Sequence, residues 1–233
     1  MRLDFQATVA KRADELNEDV YRCLPFRHRY ALSDGATESF APRQWAQTIV
    51  SAFLDQPQVD RDWLRRVTAC HAQGFDRETM PWSTQAAFDR GSFATLTGLV
   101  LNKPRQIAQV LAIGDSLAVL VAGDQLQATF PYQHAVQFLQ RPLLLATHFA
   151  DNARLLVSGV LAQATVQWSL RDLHQPALLL MTDALGAWLL THPKTRLPVL
   201  LRLKNRGQFE RLVQAERVSG RLRRDDTTLL RIR

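Results

Sequence analysis

Ala177-Leu-Leu-Leu-Met-Thr182 runs directly into Asp183, and the apolar character resumes at Ala184-Leu185. A short unbroken apolar run of this kind reads as a strand covered on both faces, because a half-exposed strand would alternate apolar and polar residues. An acid at the end of such a strand is costly unless it is paired or bound to a cation. The stretch therefore reads as a core strand that delivers a carboxylate to one edge of a sheet.

The same pattern recurs outward along the chain. Acids end or interrupt apolar runs at Asn17-Glu18-Asp19, Ser33-Asp34-Gly35-Ala36, Gly114-Asp115-Ser116 and Asp225-Asp226-Thr227-Thr228. Each has a plainer reading: Asp beside Gly is ordinary turn chemistry, Glu18-Asp19 could be a solvated loop, and Asp225-Asp226 could neutralise Arg223 and Arg224. Converging, they would form an all-oxygen site suited to Mg²⁺ or Mn²⁺.

Further β-like runs are Phe5–Ala10, Val20–Leu24, Arg29–Ser33, Phe93–Leu101, Ile107–Ile113, Leu117–Val121, Thr165–Leu170 and Thr227–Ile232. In Pro42–Leu54, Trp45, Ile49, Ala52 and Phe53 share one face at helical spacing, with Pro42 suited to a first turn. Asp60–Phe75 repeats the pattern with Trp63, Val67, Cys70 and His71. Shorter helices are expected at Ser83–Phe88, Leu185–Leu190 and Gln208–Ser219. Strands and helices come in blocks, which predicts an α+β layered domain with antiparallel sheets over a regular βαβ array.

The 233 residues fit one domain, 1–233, and no linker-like or low-complexity stretch divides them. Hydrophobic residues make up 46% and charged residues 22%, the profile of an ordinary globular protein. Two cysteines far apart, Cys23 and Cys70, read as buried free thiols in a reducing compartment, so a cytoplasmic location is expected. No secretory signal or membrane span is read from the sequence. The net charge is +7, and ten of the 29 basic residues lie between Arg202 and Arg233. That excess is read as a solvated basic face, and a nucleic-acid partner is not expected.

In order and spacing, N-E-D at 17–19, S-D-G at 33–35, G-D-S at 114–116, L-L-x-T-D ending at Asp183 and D-D-x-T at 225–228 resemble the protein phosphatase 2C family. These are the metal-dependent serine/threonine phosphatases, and the resemblance spans Asn17 to Thr228. It implies a central β-sandwich of two mainly antiparallel sheets flanked by helices, with the site at one end. It implies two or three Mn²⁺ or Mg²⁺ ions. One would be held by Asp34, Asp183 and Asp225, another by Glu18, Asp34 and the carbonyl of Gly35, and a third position served by Asp115. Asp19 would orient metal-bound waters, and Asp34, shared by both ions, would be central to catalysis. A metal-bridging water would attack the phosphorus of phosphoserine or phosphothreonine. The partner would be a phosphorylated protein, in opposition to a serine/threonine kinase, with no membrane involved.

The chain departs from the family pattern at Asp14, where an arginine for the substrate phosphate usually stands, and at Ala36 and Ala184. Lys11, Arg12 and Arg22 lie nearby as substitutes. Two other readings compete. Gly114-Asp115-Ser116-Leu117 spells a serine-esterase motif, but no D-x-x-H sequence exists to supply its base. The chain could instead be a phosphatase-fold protein that binds or regulates without catalysis. Among the histidines, His71 reads as a core or boundary residue, and His134 and His148 lack zinc-ligand spacing.

Overall fold

A computed structural model describes residues 1–233. The strands are β1 (Leu3–Val9), β2 (Val20–Leu24), β3 (Arg29–Ser33), β4 (Phe93–Ala94), β5 (Leu96–Asn102), β6 (Ile107–Ile113), β7 (Leu117–Ala122), β8 (Gln125–Phe130), β9 (Leu145–Ala146), β10 (Thr165–Ser169), β11 (Pro176–Met181) and β12 (Thr227–Ile232). The helices are α1 (Pro42–Asp55), α2 (Arg61–Ala72), α3 (Trp82–Arg90), α4 (Val160–Gln163), α5 (Asp183–Thr191), α6 (Pro193–Arg202) and α7 (Arg206–Val218).

Two five-stranded antiparallel sheets stack face to face, in the orders β1-β12-β11-β7-β8 and β10-β6-β5-β3-β2. The apolar runs are continuous because every central strand is covered twice. Leu178 and Leu180 of β11 point between the sheets, with Ala118, Leu120, Leu230 and Tyr30, Leu32, Leu99 and Val110. Ala177, Leu179 and Met181 face the other way, onto α5, α6 and α7 through Leu185, Leu189, Leu200 and Phe209. On the second sheet, Ala31, Leu96 and Leu111 pack under α1 and α2 through Trp45, Ile49, Phe53, Trp63 and Leu64. The result is four layers, helix, sheet, sheet, helix, as expected for an α+β sandwich.

Local chemistry sets the helix boundaries. Pro42 opens α1, and Trp45 Nε1 reaches across to the Leu145 carbonyl at 2.8 Å. Asp60 caps α2 by accepting the Trp63 N–H at 2.8 Å. The buried stripe of α2 is Trp63, Leu64, Val67, Thr68 and His71, so Cys70 falls just off it. Cys70 is exposed and Cys23 half-buried, which corrects the expectation that both thiols lie in the core. Burial still pushes the Cys23 thiol up to about 12.

Four of these strands and helices were not expected, β8, β9, α4 and α6, and one expected run is split. The run Phe93–Leu101 breaks at Thr95, giving β4 a separate pairing with β9. β8 is an edge strand with exposed Gln125 and Gln127, and only its pairing with β7 makes it a strand. α6 contains Pro198, which reads as a helix breaker, yet Leu197, Leu200 and Leu201 are buried against the first sheet. No helix is long and apolar enough to cross a membrane.

Candidate metal centre

Antiparallel register carries the acids to one end of the sandwich. Val20 pairs with Ser33, so Asp19, just before β2, lies beside Asp34, just after β3. Met181 pairs with Leu117 on one side and Leu229 on the other. That places Asp183 beside the β6–β7 turn bearing Asp115 and beside the approach to β12 bearing Asp225 and Asp226. Leu96 pairs with Ile113, which brings Thr95 to the same turn.

Thr95 organises this end. Its hydroxyl accepts the Asp34 N–H at 2.9 Å, and its own N–H donates to the Asp34 carbonyl at 2.8 Å. The same hydroxyl meets Ser116 Oγ at 2.9 Å. Gly114 has φ +102°, and a Cβ there would stand 2.6 Å from the Thr95 side chain. Gly35 also tolerates no side chain, since a Cβ would come within 2.8 Å of the Pro42 backbone. Ser116 is buried with its hydroxyl on Thr95, which leaves it a turn residue and not an exposed nucleophile.

The acids differ in their partners. Asp19 is buried; its Oδ2 accepts the Thr228 hydroxyl at 2.6 Å and the Thr182 hydroxyl at 3.2 Å, while its Oδ1 has no partner. Burial, then the charges of Asp226 and Asp183, pushes its carboxyl well above the usual range. Asp34 is raised in the same way by burial and by Asp19, Asp183, Asp225 and Asp115. Burial and Asp183 lift Asp115 to about 6. Asp183 opens α5, where the helix N-terminus favours a negative charge. Its Oδ1 takes the Ala184 N–H at 2.5 Å, and its carboxyl is raised by burial against the opposing pull of Arg223. One nitrogen of Arg223, Nη2, donates both to Asp183 Oδ2 and, at 2.8 Å, to Asp225 Oδ2. Glu18 Oε2 accepts Thr37 Oγ1 at 2.6 Å and Lys11 Nζ at 3.3 Å.

Asp34, Gly35, Thr37, Thr95, Asp115, Asp183 and Asp225 line one cavity of about 180 Å³, rimmed by Pro142 and Leu144. A larger hollow of about 630 Å³ over Leu3, Tyr21, Cys23 and Leu54 has Asp55 as its only acid and gathers no such set of charges. The side-chain ligand atoms in the acid cavity are all oxygen, and beside it one buried carboxylate oxygen, Asp19 Oδ1, has no hydrogen-bond partner. This chemistry fits hard divalent cations. As the side chains stand, no three acids are drawn tightly enough to hold one ion, and Arg223 spans two of them.

No family model matches the sequence, and no curated protein matches it. Solved structures do. The chain superposes on PppA, a key regulatory component of T6SS in Pseudomonas aeruginosa, with a TM-score of 0.60 at 20% identity, covering 98% of this chain and 96% of that one. It superposes equally well on the serine/threonine phosphatase PstP/Ppp of Mycobacterium tuberculosis, at TM-score 0.59 and 18% identity, covering 100% and 99%. The catalytic domain of PstP in complex with two manganese ions gives 0.60 at 18% identity, covering 100% and 99%. The fold is that of the phosphatase 2C family. At these identities the likeness is one of fold, and it agrees with the architecture that the five acidic motifs imply.

Within this phosphatase 2C-like fold, Asp34, Gly35, Asp115, Asp183 and Asp225 share the cavity, while Glu18 and Asp19 lie alongside it. Sequence reasoning gave no role to four residues that shape this end. Asp226 is buried and accepts the backbone N–H of Lys11 at 2.6 Å and of Glu18 at 2.5 Å, fixing the segment that carries Glu18 and Asp19. Arg217 ties the Asp225 carbonyl to the Ala10 carbonyl and Thr227 Oγ1. Arg43 caps the Asn17 and Asp19 carbonyls. Thr95 is the fourth. The doubled acid at 225–226 was the one visible signal; each of the others makes at least one contact 24 or more residues away, Arg217 to Ala10, Arg43 to Asp19 and Thr95 to Asp34.

Proposed function

We propose that residues 1–233 act as one phosphatase 2C-like domain that hydrolyses phosphoserine or phosphothreonine in a protein substrate. The observation that carries this reading is the gathering of five acid-bearing segments, which sets half-buried Asp34 among Asp19, Asp115, Asp183 and Asp225. Such a concentration of carboxylates is unfavourable without cations, and a metal-dependent hydrolase needs one.

In this reading Asp34, Asp183 and Asp225 hold one Mn²⁺ or Mg²⁺, and Glu18, Asp34 and the Gly35 carbonyl hold a second. Asp115 serves a weaker third. When bound, the ions lower the pKa of the water that attacks phosphorus and offset charge on the phosphoryl oxygens. The chain's own residues do the positioning. Thr95 fixes the Asp34 backbone, and Thr182 and Thr228 anchor Asp19 through one oxygen, leaving Oδ1 to orient a water. Lys11, held at Glu18 and Thr37, stands where a phosphate oxygen can exchange for its present partners. Two unpaired thiols suit a cytoplasmic enzyme opposing a serine/threonine kinase.

A second reading is a phosphatase-fold regulator without turnover. Two observations favour it: Asp14 stands where the family carries arginine, and Arg223 bridges two of the acids. Hydrolysis of para-nitrophenyl phosphate and of phosphothreonine peptides by the purified protein decides between them. Activity that requires Mn²⁺ and ceases on chelation supports the enzyme. Activity that survives exhaustive chelation rejects the metal mechanism, and none at any metal concentration leaves the regulator.

A further inference from the structure

Arg223 is the only basic side chain that touches the Asp183 and Asp225 carboxylates. Of the other neighbouring cations, Lys11 is held by Glu15, Glu18 and Thr37, Arg43 by two carbonyls, and Arg217 by two carbonyls and a hydroxyl, while Arg224 is exposed and bonds neither acid. A single guanidinium nitrogen bridges both acids, in the span between two carboxylates of the proposed metal set. Asp19 Oδ1, buried beside the same cluster, has no hydrogen-bond partner, so the cluster holds acceptor capacity that no side chain satisfies. The Arg223 side chain is 58% exposed, whereas that of Asp183 is 11% exposed, so the arginine can swing into water while the acid stays. Arg223 also lies only two residues before Asp225, which tethers it at the site when it swings away.

We propose that Arg223 is a built-in counter-cation of the Asp183–Asp225 pair, and that a divalent ion enters by displacing it. The inference rests on the metal reading above. Its physical basis is exchange: like charges in the cluster repel, one tethered cation relieves that repulsion in the free protein, and an entering ion must replace both of its hydrogen bonds. The arrangement stabilises the metal-free fold and weakens metal binding by the same interaction. The site then fills only above a threshold of free metal that Arg223 sets.

The test is Mn²⁺ titration of the full chain and of Arg223→Gln, read by calorimetry and by thermal melting, with folding checked by circular dichroism. Arg223→Gln should melt lower without metal and bind Mn²⁺ about tenfold more tightly, about 1.4 kcal/mol. Arg223→Lys keeps the charge but loses the planar fork, so its affinity should fall between the two. If Arg223→Gln fails to fold, Arg223→Lys alone must bind Mn²⁺ more tightly than the parent. Equal or weaker Mn²⁺ affinity in a folded variant overturns this inference and leaves the metal reading intact. Absence of Mn²⁺ binding in every protein overturns both.

Discussion

Thr95 and Asp34 are joined by two reciprocal hydrogen bonds, side chain to backbone at 2.9 Å and backbone to backbone at 2.8 Å. Thr95 interrupts the long run Phe93–Leu101, and its hydroxyl meets both the Asp34 N–H and Ser116 Oγ. Thr95→Val keeps the shape that packs against Gly114 but removes the hydroxyl. The part-buried Asp34 N–H then loses its acceptor, and we expect a loss of about 1 kcal/mol in unfolding free energy. Urea denaturation of both proteins measures it; a change within error would show that water replaces the hydroxyl at no cost.

Asp34 sits among four other acids, and burial and their charges push its carboxyl well above the usual range. Asp34→Asn removes one charge from that cluster. The metal-free variant is expected to melt higher than the parent, while the Mn²⁺-dependent rise in Tm largely disappears. A ligand that binds only the folded state stabilises it by mass action, so the parent should gain several degrees at millimolar Mn²⁺. Melting curves with and without metal check both halves.

Ser116 and Asp183 separate the two hydrolase chemistries. Ser116 is buried and bonded to Thr95, so Ser116→Ala should keep phosphatase activity within about tenfold, or about 1.4 kcal/mol of barrier. Asp183→Asn removes a proposed metal ligand and should lose several orders of magnitude. An inactive Ser116→Ala beside an active Asp183→Asn would instead favour a serine hydrolase. Assays on a phosphate monoester and a short acyl ester, run on both variants, give the answer.

His71 provides a pH probe away from the acids. It packs against the Trp45 and Phe75 rings with Nε2 unpartnered, and burial holds its pKa down at about 4. A depressed folded pKa means that the unfolded chain takes up the proton first. The stability His71 contributes is therefore complete above its unfolded pKa, about 6.5, and is lost as pH falls toward 4. Replacing it with leucine should flatten the stability profile across that window, by at most about 1.4 kcal/mol per pH unit. Identical slopes in parent and His71→Leu would show that the imidazole titrates normally.

Much of the scaffold was legible because its signals are local. Nine β-like runs were expected and they cover ten of the strands; central ones such as β7 and β11 read as unbroken apolar runs because both faces are covered, while the edge strands β1, β2 and β10 keep polar, exposed positions. α1 and α2 were expected from helical spacing backed by Pro42 and Asp60. β8 and α6 were not, because Gln125 and Gln127 gain a strand partner only from β7, and Pro198 is outweighed by burial of Leu197, Leu200 and Leu201. Cys70 was misplaced by one position on its helix, enough to carry a side chain from the core to water.

The sequence by itself determined the blocks of strands and helices and the five acidic segments, because hydrophobic burial and the cost of an acid beside a strand act on neighbouring residues. Only the tertiary structure decided how those acids are satisfied. Asp19 is anchored by threonines from two other strand ends, Asp226 holds backbone rather than a cation, and Arg223 spans Asp183 and Asp225. Asp19 and Thr228 are 209 residues apart, and Lys11 and Asp226 are 215 apart. Local spacing carries no trace of such pairs, because the antiparallel register of two sheets sets which strand ends meet, and a buried charge takes whichever donors that register brings within reach.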